Sequence, residues 1–552
     1  MMKITLGSAT CARLLFSVAV LWAASAYADL QNVQVGGKIE IYGAWYSGFW
    51  EPNDAVERIP ASHLLGRSLG PYGTSSFIRG GSGNSLAFLE QRTQLEVKAD
   101  LTDNVAAFVE FDSIDTWGED FRSNYLTGID SRADTSDDIG LFQAYLEFGN
   151  VFGQPLRIRV GRQALEFGAS WLLGAEIGPD PFIDVSFDGV RLTYEWDNIT
   201  IDAWWSKLAE RSPLETDGDV DFYGVYATLT ESEGKAATEP LKLQEASFPA
   251  HLIYHGFRHS TSLGGGGPDA ADEVSFDMYW MYVRDAAGRH DTMGGPALER
   301  FERRAGLDDY EVTNLHTAGT RFAGQLNAFD WDLEAAYQWG NADALGSLFV
   351  PVGGVYGDNK ARWDTWAGHG EVGYTLGGKF SPRIFLCAAY YDGEDNRNVS
   401  FGDWLNPYRR GNASVSFNRL FSTLFEDWFI DATGMSNFWK ASLGASIKAT
   451  ESLEFEVSVI YLAAVSPFDY PVMPGLPFIT EKGDKDLGWQ VTFDCTYSYS
   501  DDLSFEVGYA HFFLGDAITD GVVFTDDFGL RNIGAADDDG ADFAYFLTTL
   551  EF

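Results

Sequence analysis

The sequence predicts an all-β fold: a transmembrane antiparallel β-barrel of about 18 strands, with short periplasmic turns and long extracellular loops. Three observations carry the prediction. Apolar and polar residues alternate with period two in many long runs, as strands with two different faces require. Those runs are 9 to 16 residues long, whereas a soluble strand usually has about 5–6 and a tilted bilayer-crossing strand needs about 9–11. The connections between them also alternate, short then long, which is the pattern of outer-membrane barrels.

Composition narrows the class. The 552 residues carry 81 Asp+Glu against 38 Lys+Arg, a formal charge of −43. Such acidity excludes nucleic acid as a partner, because phosphates would be repelled. Three cysteines make no disulfide scaffold, and 45% apolar residues exclude a disordered chain. Residues 1–28 have the form of a signal peptide: Lys3 and Arg13 flank the short apolar stretch Leu14–Trp22, and Ala26-Tyr27-Ala28 is a small-x-small cleavage site. Without Lys3 and Arg13 the mature chain carries −45, that is −43 less two. No later stretch approaches the 18 apolar residues of a membrane helix, so residues 29–552 cross a bilayer only as one closed barrel domain.

The eighteen strands are expected at 33–46, 86–100, 104–114, 139–149, 155–163, 186–196, 198–207, 221–230, 273–284, 311–326, 328–340, 363–377, 381–393, 436–449, 452–464, 486–500, 503–514 and 541–552. The alternation is plain in Phe329, Trp331, Leu333, Ala335 and Tyr337 against Asp330, Asp332, Glu334 and Gln338. It recurs in Leu453, Phe455, Val457 and Val459 against Glu454, Glu456 and Ser458. Asp197-Asn198, Leu101–Asp103, Gly378–Phe380, Thr450-Glu451 and Ser500–Asp502 are tight turns; long segments such as 113–138, 164–185, 394–435 and 515–540 lie between, of which 113–138 and 515–540 are strongly acidic. Phe546, Leu550 and a terminal Phe552 form an apolar-out ending that resembles the signal read by the barrel assembly machinery. Trp45, Trp196, Trp205, Trp339, Trp366 and Trp439 fall near strand ends, where an aromatic girdle contacts outer-membrane lipid.

The apolar set faces lipid and the interleaved set the lumen, since Arg or Lys turned to lipid costs ~2–4 kcal/mol near the midplane. The candidate pore-lining residues are Arg157, Arg159, Arg191, Arg321, Arg383, Asp330, Asp332, Glu334, Lys440, Glu454 and Glu456. The arginines hold a field at any pH because guanidinium does not deprotonate. Either they set ion preference or they brace the wall in ion pairs. Inward acids outnumber inward bases, which leans toward cations or neutral solutes. The acidic loops are read as solvated surface that could bind divalent cations; no resident cofactor or metal site is expected. One connection breaks the pattern. Residues 231–272 follow strand 8, where a tight turn belongs, and are read as a periplasmic plug. His251, His255 and His259 within it have helical metal spacing, but Gly256 weakens a helix and no carboxylate or Cys completes the set.

Val160-Gly161-Arg162-Gln163-Ala164-Leu165-Glu166-Phe167-Gly168, followed by Phe187-Asp188-Gly189-Val190-Arg191-Leu192, resembles the alginate export family of outer-membrane barrel proteins. Weaker echoes are Ala388–Asp395, Phe417–Phe421 and Gly508–Gly515. The resemblance implies an eighteen-stranded barrel with a plug after strand 8, and polysaccharide passage through an arginine-rich constriction. Arg162 and Arg191 match its motif, with Asp188 as a structural partner.

The functional expectation is an outer-membrane channel (porin) for passive passage of small hydrophilic solutes or ions. The alternatives are an exporter of an alginate-like exopolysaccharide and a structural or adhesive surface barrel. An enzyme is not expected: only His316, His369 and His511 fall in strands, and no Ser-His-acid set converges at one level.

Overall fold

In the computed structural model the period-two runs become one sheet. Described are residues 32–47, 85–117, 139–175, 185–210, 219–232, 273–286, 312–341, 362–393, 436–466, 484–519 and 540–552, parts of 414–429, and short pieces elsewhere. The strands are β1 (Asn32–Ser47), β2 (Ser85–Thr102), β3 (Val105–Thr116), β4 (Gly140–Phe148), β5 (Leu156–Gln163) and β6 (Phe187–Trp196). Then come β7 (Ile199–Ala209), β8 (Val220–Ser232), β9 (Glu273–Asp285), β10 (Thr313–Leu326), β11 (Phe329–Asn341) and β12 (Arg362–Thr375). The last six are β13 (Arg383–Tyr391), β14 (Phe438–Thr450), β15 (Leu453–Ala464), β16 (Asp486–Ser498), β17 (Leu503–Leu514) and β18 (Ala541–Glu551).

Each strand pairs antiparallel with the next, and β18 pairs with β1, closing an 18-stranded barrel with no free edge. The seam is fastened at its end by Gly37 N–H to Phe552 O and Phe552 N–H to Gly37 O, both 3.0 Å. The Phe546 ring lies over Gly43 and the Phe552 ring over Gly37, where any Cβ would collide. Two-residue turns at Asp197-Asn198 and Asn327-Ala328 join β6 to β7 and β10 to β11. Asp197 (φ 54°) and Asn327 (φ 55°) take the left-handed conformation that Asp and Asn tolerate.

Boundaries differ from expectation by a few residues. The largest change is at β13, expected at 381–393 but spanning Arg383–Tyr391. Pro382 has no N–H for the ladder, so the chain turns through Gly378–Pro382, with Leu376 N–H reaching Pro382 O at 2.7 Å. The expected plug, its three histidines and the segment 1–28 lie outside the described residues, as do most of 113–138 and 515–540.

The outer face is the apolar one. Trp45, Trp196, Trp205, Trp339, Trp366 and Trp439 all project outward. Around β8–β11 the rings of Tyr223, Tyr282, His316 and Trp339 stack in succession at 5.8, 4.4 and 5.3 Å. Such amphipathic rings suit the boundary between hydrocarbon and headgroups. His316 therefore belongs to the girdle, whereas His369 is buried on the inner face.

Candidate functional site: the lumen and its constriction

Strand parity sends charge inward, and a charge inside a narrow barrel needs a partner. Arg321 forms a fork on Asp332 (Nε 2.9 Å, Nη2 2.6 Å) and reaches Asp277 at 3.1 Å. Arg383 lies between Asp330 (Nε 3.0 Å) and Glu371. Glu334 accepts from Tyr279 Oη at 2.8 Å, with His369 3.7 Å away. Arg157 meets Glu195 at 2.6 Å, Arg159 meets Glu147 at 2.7 Å, and Arg191 meets Asp202 at 2.7 Å. Glu454 and Glu456 sit half-buried on the inner face of β15, where Glu456 is in register with Asp494 of β16. All eleven residues expected to line the lumen point inward, and every one of the five arginines is ion-paired.

Exposure separates these arginines. The side chains of Arg159, Arg191 and Arg383 are 19%, 21% and 16% exposed, against 5% for Arg321, and Lys440 has none. All three partly exposed guanidiniums also lie over rings, Arg159 over Tyr145 at 4.2 Å, Arg191 over Phe167 at 4.7 Å and Arg383 over Phe385 at 5.0 Å. Two of them, Arg159 and Arg191, are register partners on β5 and β6.

The lumen is partly filled by two connections that turn into the barrel. Residues 164–175 leave β5, and the described parts of 414–429 precede β14. They meet through backbone bonds: Phe421 N–H to Leu172 O (3.1 Å), Gly174 N–H to Phe421 O (2.9 Å) and Thr423 N–H to Ser170 O (2.9 Å). Their apolar side chains pack on the inner wall. Phe167 stacks on Trp204 and Tyr226, both at 4.9 Å, and Phe421 meets Phe187 edge-on at 4.9 Å. Trp428 lies 4.4 Å from Phe543, and Phe429 lies 5.2 Å from Phe512. Gly168 takes φ +63°, and a Cβ there would sit 2.7 Å from Tyr226 Oη.

Polar contacts fix these segments in place. Gln338 of β11 grips the second one as a backbone would, donating to Asn418 O (2.7 Å) and accepting from Asn418 N–H (2.8 Å). Trp171 Nε1 donates to Tyr391 Oη (2.8 Å), which donates to Glu426 Oε1 (2.7 Å). Lys440 Nζ pairs with the Glu426 carboxylate and donates to its carbonyl at 2.7 Å. Burial alone would raise the Glu426 carboxyl, but Lys440, then His369 and Arg419, outweigh it and hold the group down at about 2.

The motif residues divide between the two faces. Arg191 points inward, but Arg162 and Asp188 point outward at the extracellular ends of β5 and β6. They form a two-bond fork, Nε to Oδ1 and Nη2 to Oδ2, each 2.9 Å. Arg162 therefore takes no part in the lumen and pairs with Asp188 on the outer face. Cys387 faces inward and Cys495 outward, and both are free thiols. No three His, Cys, Asp or Glu side chains are arranged to hold a metal among the described residues.

The inward connections were not anticipated from the sequence, in which 164–185 and 394–435 counted only as long outer connections. Their signal was present: Leu165, Phe167, Trp171, Leu172 and Leu173, then Phe417, Phe421, Trp428 and Phe429, are too apolar for an exposed loop.

No curated protein matches the chain. Solved structures that resemble it include OccK8 (OprE) of Pseudomonas aeruginosa, at 11% identity and TM-score 0.46, covering 95% of this chain and 98% of that one. The outer membrane protein OprD from Pseudomonas aeruginosa resembles it at 10% identity and TM-score 0.44, covering 96% of both chains. Acinetobacter baumannii OccAB4 does so at 10% identity and TM-score 0.41, covering 96% of this chain and 100% of its own. The family described as Alginate export matches residues 70–237 and 269–528, well over half of the chain. With a closed eighteen-stranded wall, an apolar exterior and a charged interior, the chain belongs to the alginate export family and is a barrel of the Gram-negative outer membrane.

Proposed function

We propose that the protein is a passive channel for small hydrophilic solutes or ions, narrowed by residues 164–175 and 414–429. The observation that carries the reading is the pair of inward segments, bonded to each other and packed on the inner wall, beside the partly exposed Arg191, which lies over Phe167, and its register partner Arg159. A passage bounded by paired charges solvates ions and polar solutes without offering one deep binding site. Because each of the five wall arginines already has a carboxylate partner, they do not present the uncompensated positive field that a polyuronate would need. Arg157, Arg159, Arg191, Arg321, Arg383, Asp330, Asp332, Glu334, Lys440, Glu454 and Glu456 shape its electrostatics, and Arg159 and Arg191 meet the solute most directly.

Planar-bilayer recording of purified protein tests this. Discrete conductance steps are expected, with a reversal potential in a salt gradient whose sign reports the preferred ion. Absence of conductance, even after deletion of 231–272, would remove the proposal. Family membership favours a second reading, export of a secreted polysaccharide. Loss of an extracellular polymer on deletion of the gene would support that reading instead.

A further inference from the structure

The Arg162–Asp188 pair is the one motif feature that a channel does not absorb, because it lies outside the barrel. Its surroundings suggest a use. Arg162 and Asp188 are register partners, and so are their neighbours Gly161 and Gly189, which face the lumen. A Cβ at Gly161 would lie 2.8 Å from the Tyr145 Cα, and one at Gly189 2.8 Å from the Ser206 Cα. Gly161 also takes φ +133°, which L side chains rarely adopt. The two glycines thus let β5 and β6 lie close against the backbones of β4 and β7, where a side chain has no room. Arg162 spans the outer face, with its fork on Asp188 of β6 and Nη1 3.4 Å from the Leu141 carbonyl of β4.

The chain departs for the lumen one residue after Gln163. Ala164 N–H donates to Gln143 Oε1 at 2.9 Å, and Gln143 donates to Glu110 at 2.7 Å, anchoring the first step of the inward segment to β4 and β3. Gln143 and Arg162 thus hold the same strand end from opposite sides. Beyond them come buried Leu165, stacked Phe167 and the turn at Gly168.

We propose that Arg162 and Asp188 are positioning residues for the constriction: their outward fork fixes the angle at which 164–175 crosses the lumen, without touching the solute. This rests on the channel reading above for its conductance readout, but not for its structural one. An exposed ion pair adds little to overall stability, so the barrel should assemble without it.

The test uses full-length protein carrying Ser170→Cys, a position at the contact with Thr423, and an impermeant thiol reagent. Arg162→Gln and Asp188→Asn should each raise the labelling rate of that cysteine about fivefold, the factor given by roughly 1 kcal/mol of lost docking. Open-channel noise should increase in both. The double variant should match either single one, and the exchange Arg162→Asp with Asp188→Arg should restore labelling to within about twofold of the parent. Heat-modifiable gel migration reports assembly, and the exchanged pair carries the test if a single variant fails to assemble. Unchanged labelling in both single variants, or additive effects in the double, would overturn the proposal. A parent protein that does not conduct would remove the channel reading while leaving the labelling result to stand or fall alone.

Discussion

Replacing Lys440 by Met strikes the inward segment at its most buried contact. Lys440 and Glu426 are 0% and 1% exposed, and Glu426 also holds Tyr391 and, through it, Trp171. Removing one partner of a buried ion pair costs about 3–5 kcal/mol, because the remaining charge is left in a poor solvent. The barrel need not unfold to escape that cost. Residues 414–429 can leave the lumen and hydrate Glu426, giving up the burial of Phe417, Trp428 and Phe429 at about 1.5–3 kcal/mol each. Three such burials come to about 4.5–9 kcal/mol, above most of the roughly 3–5 kcal/mol relieved, so Lys440→Met should leave the segment docked most of the time while making brief undocking far more frequent. The expected result in planar bilayers is a higher and noisier unit conductance, with gel migration of the folded barrel unchanged. Lys440→Met combined with Glu426→Leu removes both charges and should return conductance toward the parent value, since an apolar pair of similar volume tolerates such a site. Parental conductance in the single variant, or a double variant worse than the single, would refute the reasoning.

Other outcomes follow from the same contacts. Because the Glu426 carboxyl is held at about 2, below its ordinary 4.5, its contribution to docking is present above the ordinary value and is lost only as pH falls through about 2. Conductance attributable to undocking should therefore stay flat from neutral pH to about 4 and rise only in stronger acid; a rise centred between 5 and 6 would contradict the pairing. Gly168→Val, at φ +63° with Tyr226 Oη facing it, should strain the first inward segment by about 1–3 kcal/mol and raise thiol labelling at Ser170→Cys. Gln338→Ala removes both bonds to Asn418 and should weaken docking by about 1–3 kcal/mol, read as increased protease cleavage within 414–429. Arg191→Gln should shift the reversal potential toward cations, whereas Arg321→Gln, buried behind its partners, should chiefly lower the melting temperature.

The wall was legible in the residues themselves because its rule is local. Alternation in Phe329–Trp339 assigns each side chain to lipid or lumen without knowledge of its neighbours, and the alternating connection lengths fix the strand count. The constriction was not legible, because its bonds join distant positions. Trp171 and Tyr391 are 220 residues apart, and Gln338 and Asn418 are 80 apart. No periodicity encodes such pairings; only the excess of Trp, Leu and Phe in those connections hinted that they were covered. Arg162 shows a third case. Its parity was readable as outward, yet a resemblance centred on arginines drew attention to the lumen, and only the cross-strand register separates it from Arg191.

The joining of β1 to β18 has a consequence for biogenesis. Two segments some five hundred positions apart must find each other before the cylinder exists. Until then both margins expose unpaired backbone amides and carbonyls, which hydrocarbon cannot hydrate. Insertion of this chain therefore has no stable halfway product in the bilayer. A defect confined to the Gly43 and Phe546 contact should leave cells with degraded polypeptide in the periplasm instead of a leaky pore.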